Sequence, residues 1–261
     1  VITCAPNFPK GVVHEGYSNR WYQSETVDRI RVVRVKTFIS ANEGVVLRML
    51  DFLSFMITGF FAGLIQKRPD VVVATSPQFF TAVAGWLVGV CRRRPFVLEL
   101  GDIWPASIVA VGAMEQGFLI RTLERLELFL YRRSDSIVAL TPRFKENLVS
   151  RGIDGNKISI VINGVDTSRF QKIPRDEMLA ASWKLQGKFV IGYIGTHGMA
   201  HGLSNVLEAA AFLQSNDKVM FLFVGDGAER DHLIARSREM GLNNVQFIAS
   251  QPREKVPAIW S

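Results

Sequence analysis

Cysteine is nearly absent: Cys4 and Cys91 are the only two in 261 residues, far apart and without metal-ligand spacing. That pattern argues against a disulfide framework and fits a reducing compartment. No clustered His, Asp and Cys set suggests a metal centre, and no Ser-His-Asp signature suggests a hydrolase. No recognised nucleic-acid motif, solenoid repeat, low-complexity segment or secretory leader is visible. The helical pattern Phe52–Ile65 carries no charge, with Arg48 and Lys67-Arg68 flanking it. Its 14 residues fall short of the ~20 that span a bilayer. A buried core helix accounts for it, and a helix that seats a basic domain on a membrane surface is the alternative. Trp86, Arg92-Arg93-Arg94 and Arg132-Arg133 are then candidate headgroup contacts.

Apolar residues make up 48% of the chain and charged residues 21%, an ordinary globular composition with material for one large core or two moderate ones. The net charge of +7 is uneven. Residues 1–165 hold 20 Lys/Arg against 14 Asp/Glu, whereas 166–261 hold 11 against 10. A basic half can meet an anionic membrane, a phosphorylated substrate or nothing but solvent.

Short β-branched runs alternate with longer helical patterns. Asp70–Thr75, Phe96–Leu100, Ser136–Leu140, Ile158–Ile162, Phe189–Ile194, Val219–Val224 and Asn244–Ile248 read as strands buried on both faces of parallel sheets. Helices are expected over roughly 45–66, 78–91, 118–133, 142–150, 203–214 and 228–240. Thr141 and Pro142 mark one helix start and Gly152 its end. Strict alternation implies α/β, doubly wound Rossmann-like domains. The turn at Asn163-Gly164-Val165-Asp166, followed by a polar stretch, places a boundary between an expected first domain 1–166 and a second domain 167–261. Val1-Ile2-Thr3 reads as the tail of a strand, and Pro257–Ser261 lies in an unfinished helical pattern, so both ends are expected to be cut.

In open α/β sheets ligands bind beyond the strand C-termini. After Phe189–Ile194 comes Gly195-Thr196-His197-Gly198-Met199-Ala200-His201-Gly202, then a helix. Its glycines let backbone amides approach an anion, and the helix start adds unpaired N–H groups and a positive dipole end. Thr196, His197 and His201 are candidate side-chain donors to phosphate; a tight structural turn is the plainer account. Gly225-Asp226-Gly227-Ala228-Glu229 follows the next strand. Arg230 stands where the dinucleotide fingerprint needs a third glycine, and no Walker lysine is present, so neither a dehydrogenase nor a P-loop NTPase is indicated. By itself this loop reads equally well as a turn or a ligand contact. Glu99 and Asp102, beside Ile103-Trp104-Pro105, are candidate sugar-orienting or acid/base carboxylates, with helix capping or loop anchoring the plainer role for Asp102. Ser76-Pro77 holds the equivalent place after its strand, and His14 lies in a Pro/Gly-rich loop.

Taken together these stretches resemble family 4 glycosyltransferases of the GT-B fold. Gly192–Gly198 through Gly202-Leu203 resembles their donor-diphosphate loop, Phe223–Glu229 their second donor loop, and Ile162–Asp166 with Phe170 their interdomain segment. Asp102–Gly112 is similar to a subgroup, fucosamine-transferase-like proteins included, that builds bacterial surface polysaccharides. The resemblance implies two Rossmann-like domains with a cleft between them, both incomplete in this chain. It implies a retaining, metal-independent transfer from a nucleotide-diphosphate sugar, which is a substrate and not a cofactor, with UDP as the expected nucleotide. The acceptor implied is a saccharide or polyprenyl-diphosphate-linked saccharide at the cytoplasmic face of the membrane, in O-antigen or capsule synthesis, and nucleic acid is not a partner. By motif match Gly195, Thr196, His201 and Gly202 face the diphosphate, Asp226 and Gly227 lie nearby, and Ile248 lies at the base. Many relatives carry Arg and Lys where Thr196 and His201 stand, and a His where Gly101 stands. Their N-terminal glycine loop would precede Val1 and their paired glutamates would follow Ser261, so residues 1–261 alone are expected to be inactive. A GT-B UDP-sugar 2-epimerase and a non-catalytic basic membrane-binding module are the alternatives.

Overall fold

The computed structural model of the chain describes residues 1–7, 11–40, 45–76, 78–104 and 117–261. It divides into two units, Val1–Asn163 and Gly164–Ser261.

In the first unit the apolar runs become β4 (Val72–Ser76), β5 (Phe96–Leu100), β6 (Ser136–Ala139) and β7 (Ile158–Ile160), joined side by side in that order, every pair parallel. Register places Ala74 beside Leu98 and Leu98 beside Ile137, and all three are buried in one core. Helices α1 (Val45–Ile65), α2 (Phe79–Arg92), α3 (Phe118–Arg133) and α4 (Pro142–Ser150) fall close to the expected spans. Thr141 Oγ1 accepts the Phe144 N–H and Pro142 opens α4, so the marked cap forms as read. Phe52, Leu53 and Met56 of α1 pack on the main core, while its Phe55 and Ala62 pack on Val33 and Val35. The opposite face leaves Leu50, Ile57, Phe61 and Ile65 exposed. The helix is therefore core on one side only, and no described helix is long and apolar enough to cross a membrane.

The first unit also holds an element that the alternation does not anticipate. β2 (Tyr22–Val27) and β3 (Ile30–Val35) form an antiparallel hairpin, and β1 (Ile2–Cys4) adds to β3 in parallel. The hairpin turns on Asp28-Arg29, both left-handed at φ 48° and 66°. Such turns usually announce themselves by Asn-Gly or Asp-Gly, and here no glycine does so. Elsewhere in this unit Glu127 is buried, accepts from Tyr131 Oη at 2.5 Å and pairs with Arg151, which ties α3 to the end of α4. Burial raises the Glu127 carboxyl above its ordinary range, and the Arg151 hydrogen bond opposes the shift.

The second unit is a three-stranded parallel sheet in the order β10 (Val245–Ile248), β9 (Val219–Val224), β8 (Phe189–Ile194). Central β9 is buried on both faces as expected for such a strand. Phe221 and Phe223 meet Leu203, Leu207 and Ala210 of α6 (Leu203–Phe212) and Leu233 of α7 (Arg230–Glu239). Leu222 and Val224 meet Ala180 of α5 (Glu177–Ser182) and Leu185 on the other face. β8 departs from that expectation: it is an edge of the described sheet, and Phe189 and Ile191 are exposed. A final short helix, α8, covers Val256–Ile259.

The hairpin turn can be relieved by the pair of substitutions Asp28→Asn and Arg29→Gly, which puts residues tolerant of the left-handed region at both turn positions. The stability gain expected is about 0.5–1 kcal/mol, read as a higher denaturant midpoint at unchanged slope.

Candidate functional site

The second unit gathers its loops at the C-terminal end of the sheet. Beyond β8, Gly195 N–H donates to Val224 O at 3.0 Å, and beyond β9, Gly225 N–H donates to Ile248 O at 3.0 Å. The ladder thus runs one step past the strands. The two loops then join through the backbone of His197: its N–H donates to Asp226 O at 2.9 Å, and its carbonyl accepts from Glu229 N–H at 2.9 Å. This approach leaves no room for side chains on the second loop. A Cβ on Gly225 (φ 149°) would stand 1.9 Å from Gly195 O, and one on Gly227 (φ 156°) 2.4 Å from His197 O. The glycines of Gly225-Asp226-Gly227 are thereby explained by packing against the first loop.

Gly195 is different. Its backbone is not left-handed, and a Cβ there would meet Tyr193 Oη at an ordinary 3.5 Å. It is exposed, so nothing among the described residues requires a glycine there. The loop continues as a single 3-10 turn, Met199–His201, and left-handed Gly202 leads into α6. Among the described residues the N–H groups of Thr196, Leu203 and Ser204 have no acceptor in the chain. The start of α6 thus presents unpaired donors with the positive end of its dipole.

The side chains of this loop divide by depth. Thr196 and His201 are exposed. His201 Nδ1 lies 3.2 Å from Gly198 O, a bond the Nδ1–H tautomer donates, which leaves Nε2 for solvent or ligand. His197 is 0% exposed. Its ring sits 5.8 Å from that of Tyr193 and edge-on to Phe223 and Phe247 at 6.1 and 6.3 Å. Neither ring nitrogen has a hydrogen-bond partner. Burial, and next the charge of Arg230, push its pKa below the ordinary value, so the ring is a neutral aromatic wedge beneath the loop. Asp226 is exposed, with Oδ1 accepting the Gly227 N–H at 2.8 Å. Ile248 ends β10, half-buried against the core below. Composition gave no hint of Tyr193, whose Oη donates to Thr196 O at 2.8 Å and whose ring lies beside both loop histidines. One polar tip within an otherwise apolar strand was the available signal.

In the first unit Glu99 and Asp102 both reach the C-terminal edge of their sheet. Glu99 is exposed and accepts from Thr75 Oγ1 at 2.9 Å across the β4–β5 pair. Asp102 is half-buried, and its carbonyl accepts from Ser76 Oγ at 3.2 Å. Trp104 stacks on Phe79 at 5.0 Å and closes the core below. The remainder of the Asp102–Gly112 motif, from residue 105, lies outside the described residues, as does Pro77. Among the described residues no three His, Cys, Asp or Glu side chains converge to hold a metal.

Residues 8–164 match the family profile described as glycosyl transferase 4-like domain, and residues 175–261 that of glycosyl transferases group 1. The colanic acid biosynthesis glycosyl transferase WcaI of Escherichia coli (strain K12) is 26% identical over 270 residues, covering 99% of this chain and 65% of that protein. The glycosyltransferase WbjE of Pseudomonas aeruginosa is 24% identical over 190 residues, covering 71% and 47%. The chain thus spans about half to two thirds of these curated relatives. Among solved structures, Anabaena Alr3699/HepE in complex with UDP-glucose aligns with TM-score 0.61 at 19% identity, over 87% of this chain and 57% of that one. WaaG, a glycosyltransferase involved in lipopolysaccharide biosynthesis, aligns at 0.50 and 17% identity, over 74% and 58%. The architecture is the GT-B pairing of Rossmann-like units.

The loop packing is open to two tests. Gly225→Ala or Gly227→Ala drives a Cβ into backbone and is expected to destabilise the second unit by about 2–4 kcal/mol, whereas Gly195→Ala stays within about 1 kcal/mol; thermal unfolding distinguishes them. Because the folded state depresses the His197 pKa, the unfolded chain binds more protons below pH ~6.5. The stability this group contributes is complete above that pH and falls as the pH drops toward the folded-state value. His197→Phe keeps the aromatic wedge and is expected to flatten this part of the stability–pH profile.

Proposed function

Because the chain belongs to the glycosyl transferase 4-like and group 1 family, we propose that it carries the donor-binding apparatus of a retaining glycosyltransferase that uses a UDP-sugar in bacterial surface-polysaccharide synthesis. The observation that carries this reading is Gly195. Nothing among the described residues gives a reason for a glycine there, and the position begins the loop that leads to the unpaired amides at the start of α6. A side chain at that point would occupy the space of whatever those amides bind. A diphosphate fits: it is anionic, and its charge grows as the sugar–oxygen bond breaks.

In this reading the N–H groups of Thr196, Leu203 and Ser204 and the α6 dipole stabilise the departing nucleoside diphosphate. Such preorganised donors are typically worth a few kcal/mol each in the transition state. The Thr196 hydroxyl supplies a further donor, and His201 supplies one through Nε2–H when its ring is protonated, since Nδ1–H is given to Gly198 O. Asp226 holds the second loop closed on the first, and Ile248 offers an apolar edge toward the base. Glu99 and Asp102 orient an acceptor hydroxyl at the first unit's sheet edge. The UDP and UDP-glucose complexes of Alr3699/HepE favour uridine as the base, and the naming of the Escherichia coli relative for colanic acid biosynthesis favours a polysaccharide product. A saccharide on a polyprenyl carrier is the acceptor class proposed. The exposed apolar face of α1, Leu50, Ile57, Phe61 and Ile65, is the proposed peripheral contact with the inner face of the cytoplasmic membrane.

Calorimetric titration with UDP, GDP and ADP tests the donor site. UDP is expected to bind in preference to the other two, and Gly195→Asp, which fits sterically but opposes a diphosphate by charge, is expected to weaken UDP binding at least tenfold without lowering the unfolding temperature. A folded protein that binds no nucleoside diphosphate would remove the reading.

A further inference from the structure

At the opposite edge of the first unit's sheet the chain assembles a second basic feature. Parallel strands with antiparallel helices between them bring every helix C-terminus to the strand N-termini. Here that edge collects the ends of α2 and α3 with the starts of β5 and β6. A cavity of about 320 Å³ opens there, lined by Trp86, Arg93, Arg94, Arg133 and Asp135 together with neighbouring backbone. Cations beside helix C-termini are ordinarily explained by the terminal carbonyls they satisfy. At this edge the carbonyls of Gly89, Val90, Leu130, Tyr131 and Arg132 are already served. Backbone N–H groups of Arg93 and Arg94 close the end of α2 on Val90 O and Gly89 O. Lys157 Nζ donates to Tyr131 O, Arg132 O and Ser134 O at 2.5, 3.0 and 2.9 Å and caps the end of α3. Arg92 is the arginine that donates to a carbonyl, that of Gln66.

The guanidinium groups of Arg93, Arg94 and Arg133 are left over. Among the described residues none of them has an ion pair or a side-chain hydrogen bond, and Arg94 Nε is buried without an acceptor. Arg133 lies over the Phe129 ring at 5.6 Å, and that ring is edge-on to Trp86 at 5.0 Å. Asp135 is the one carboxylate lining the cavity, and its Oδ2 takes the Phe96 N–H at 2.7 Å. Arg93 moreover adopts a left-handed conformation, φ 52°, at the position after a helix where glycine is the unstrained choice. Backbone strain at a charged, unpaired side chain marks a position held for something other than stability.

The geometry points to a binding site for a phosphate-class anion in this arginine cavity, on the first unit and at the sheet edge away from Glu99 and Asp102. Three forked guanidinium groups suit tetrahedral, multidentate oxyanions, and the indole and Val90, which is exposed beside them, suit the apolar surroundings of a phosphate carried on a lipid. The site is built from residues of the first unit alone and does not depend on the donor loop.

The test uses pyrophosphate and vesicles of phosphatidylcholine with or without phosphatidic acid, with the Gly195→Asp protein as host so that the donor loop is blocked. Saturable pyrophosphate binding is expected, accompanied by a change in tryptophan emission that Trp86→Phe removes. The double variant Arg94→Gln, Arg133→Gln is expected to weaken binding at least tenfold. Arg93→Gly separates recognition from folding, because relief of the left-handed arginine should raise the unfolding temperature while binding weakens. Pyrophosphate binding without binding of acidic vesicles assigns a free anion site, and binding of acidic vesicles that the arginine variants lose assigns a lipid headgroup; both support the site. No binding of either probe, or binding unchanged in the arginine variants, overturns it. UDP affinity of the protein with Gly195 intact is expected to be indifferent to the arginine changes, so failure here and failure of the donor reading are separate results.

Discussion

Everything proposed for the second unit depends on one backbone contact, the clasp between His197 and the loop that follows β9. A loop rich in glycine has little reason to hold a single shape, since each such residue loses more freedom on ordering than any other. Here both polar groups of the His197 backbone are engaged, by Asp226 O and Glu229 N–H, and its ring is wedged among Tyr193, Phe223 and Phe247. The clasp fixes the loop from behind. The unpaired amides on its outer face then need no reorganisation to meet an anion, which is the condition under which such donors contribute most.

The wedge explains why a histidine can sit there with neither nitrogen bonded. A buried unpaired donor costs about 1–3 kcal/mol, and aromatic packing offsets part of it. The composition of the loop hides this division of labour. His197 and His201 look alike in sequence as phosphate donors, yet one is sealed below the loop and the other open above it. Gly195 and Gly225 look alike as phosphate-loop glycines, yet the second is demanded by a carbonyl 1.9 Å from its absent Cβ and the first by nothing internal.

The same contrast sets what was legible beforehand. Phe96–Leu100, Phe189–Ile194 and Val219–Val224 form strands at the residues expected, because a continuous apolar run between polar turns has few other ways to be buried. The α4 boundary was legible because Thr141, Pro142 and Gly152 are local signals with local causes. The β2–β3 hairpin was not, since its turn is carried by Asp28-Arg29 and its second strand carries Arg31 and Arg34. Nor was the clasp, whose reasons lie on a loop from a different strand. Sequence periodicity reports what an element does with its own neighbours; which glycine is crowded is decided by register across the sheet.

Register also gives the arginines their meaning. Arg93, Arg94 and Arg133 are basic residues at helix ends, and position alone would assign them to the dipole. What removes that account is Lys157, distant in sequence, whose ammonium already takes three carbonyls at the end of α3. An ammonium offers three donors and is saturated by them. Each guanidinium brings five donors and, among the described residues, gives none of them to a carbonyl, and a left-handed arginine is kept where glycine would relieve strain. A surface selected for helix stability alone would place its cations on the carbonyls and a glycine at residue 93. The arrangement observed has the converse form, with donors turned toward a cavity, and such an arrangement is stable in water but strongly stabilised only by an oxyanion.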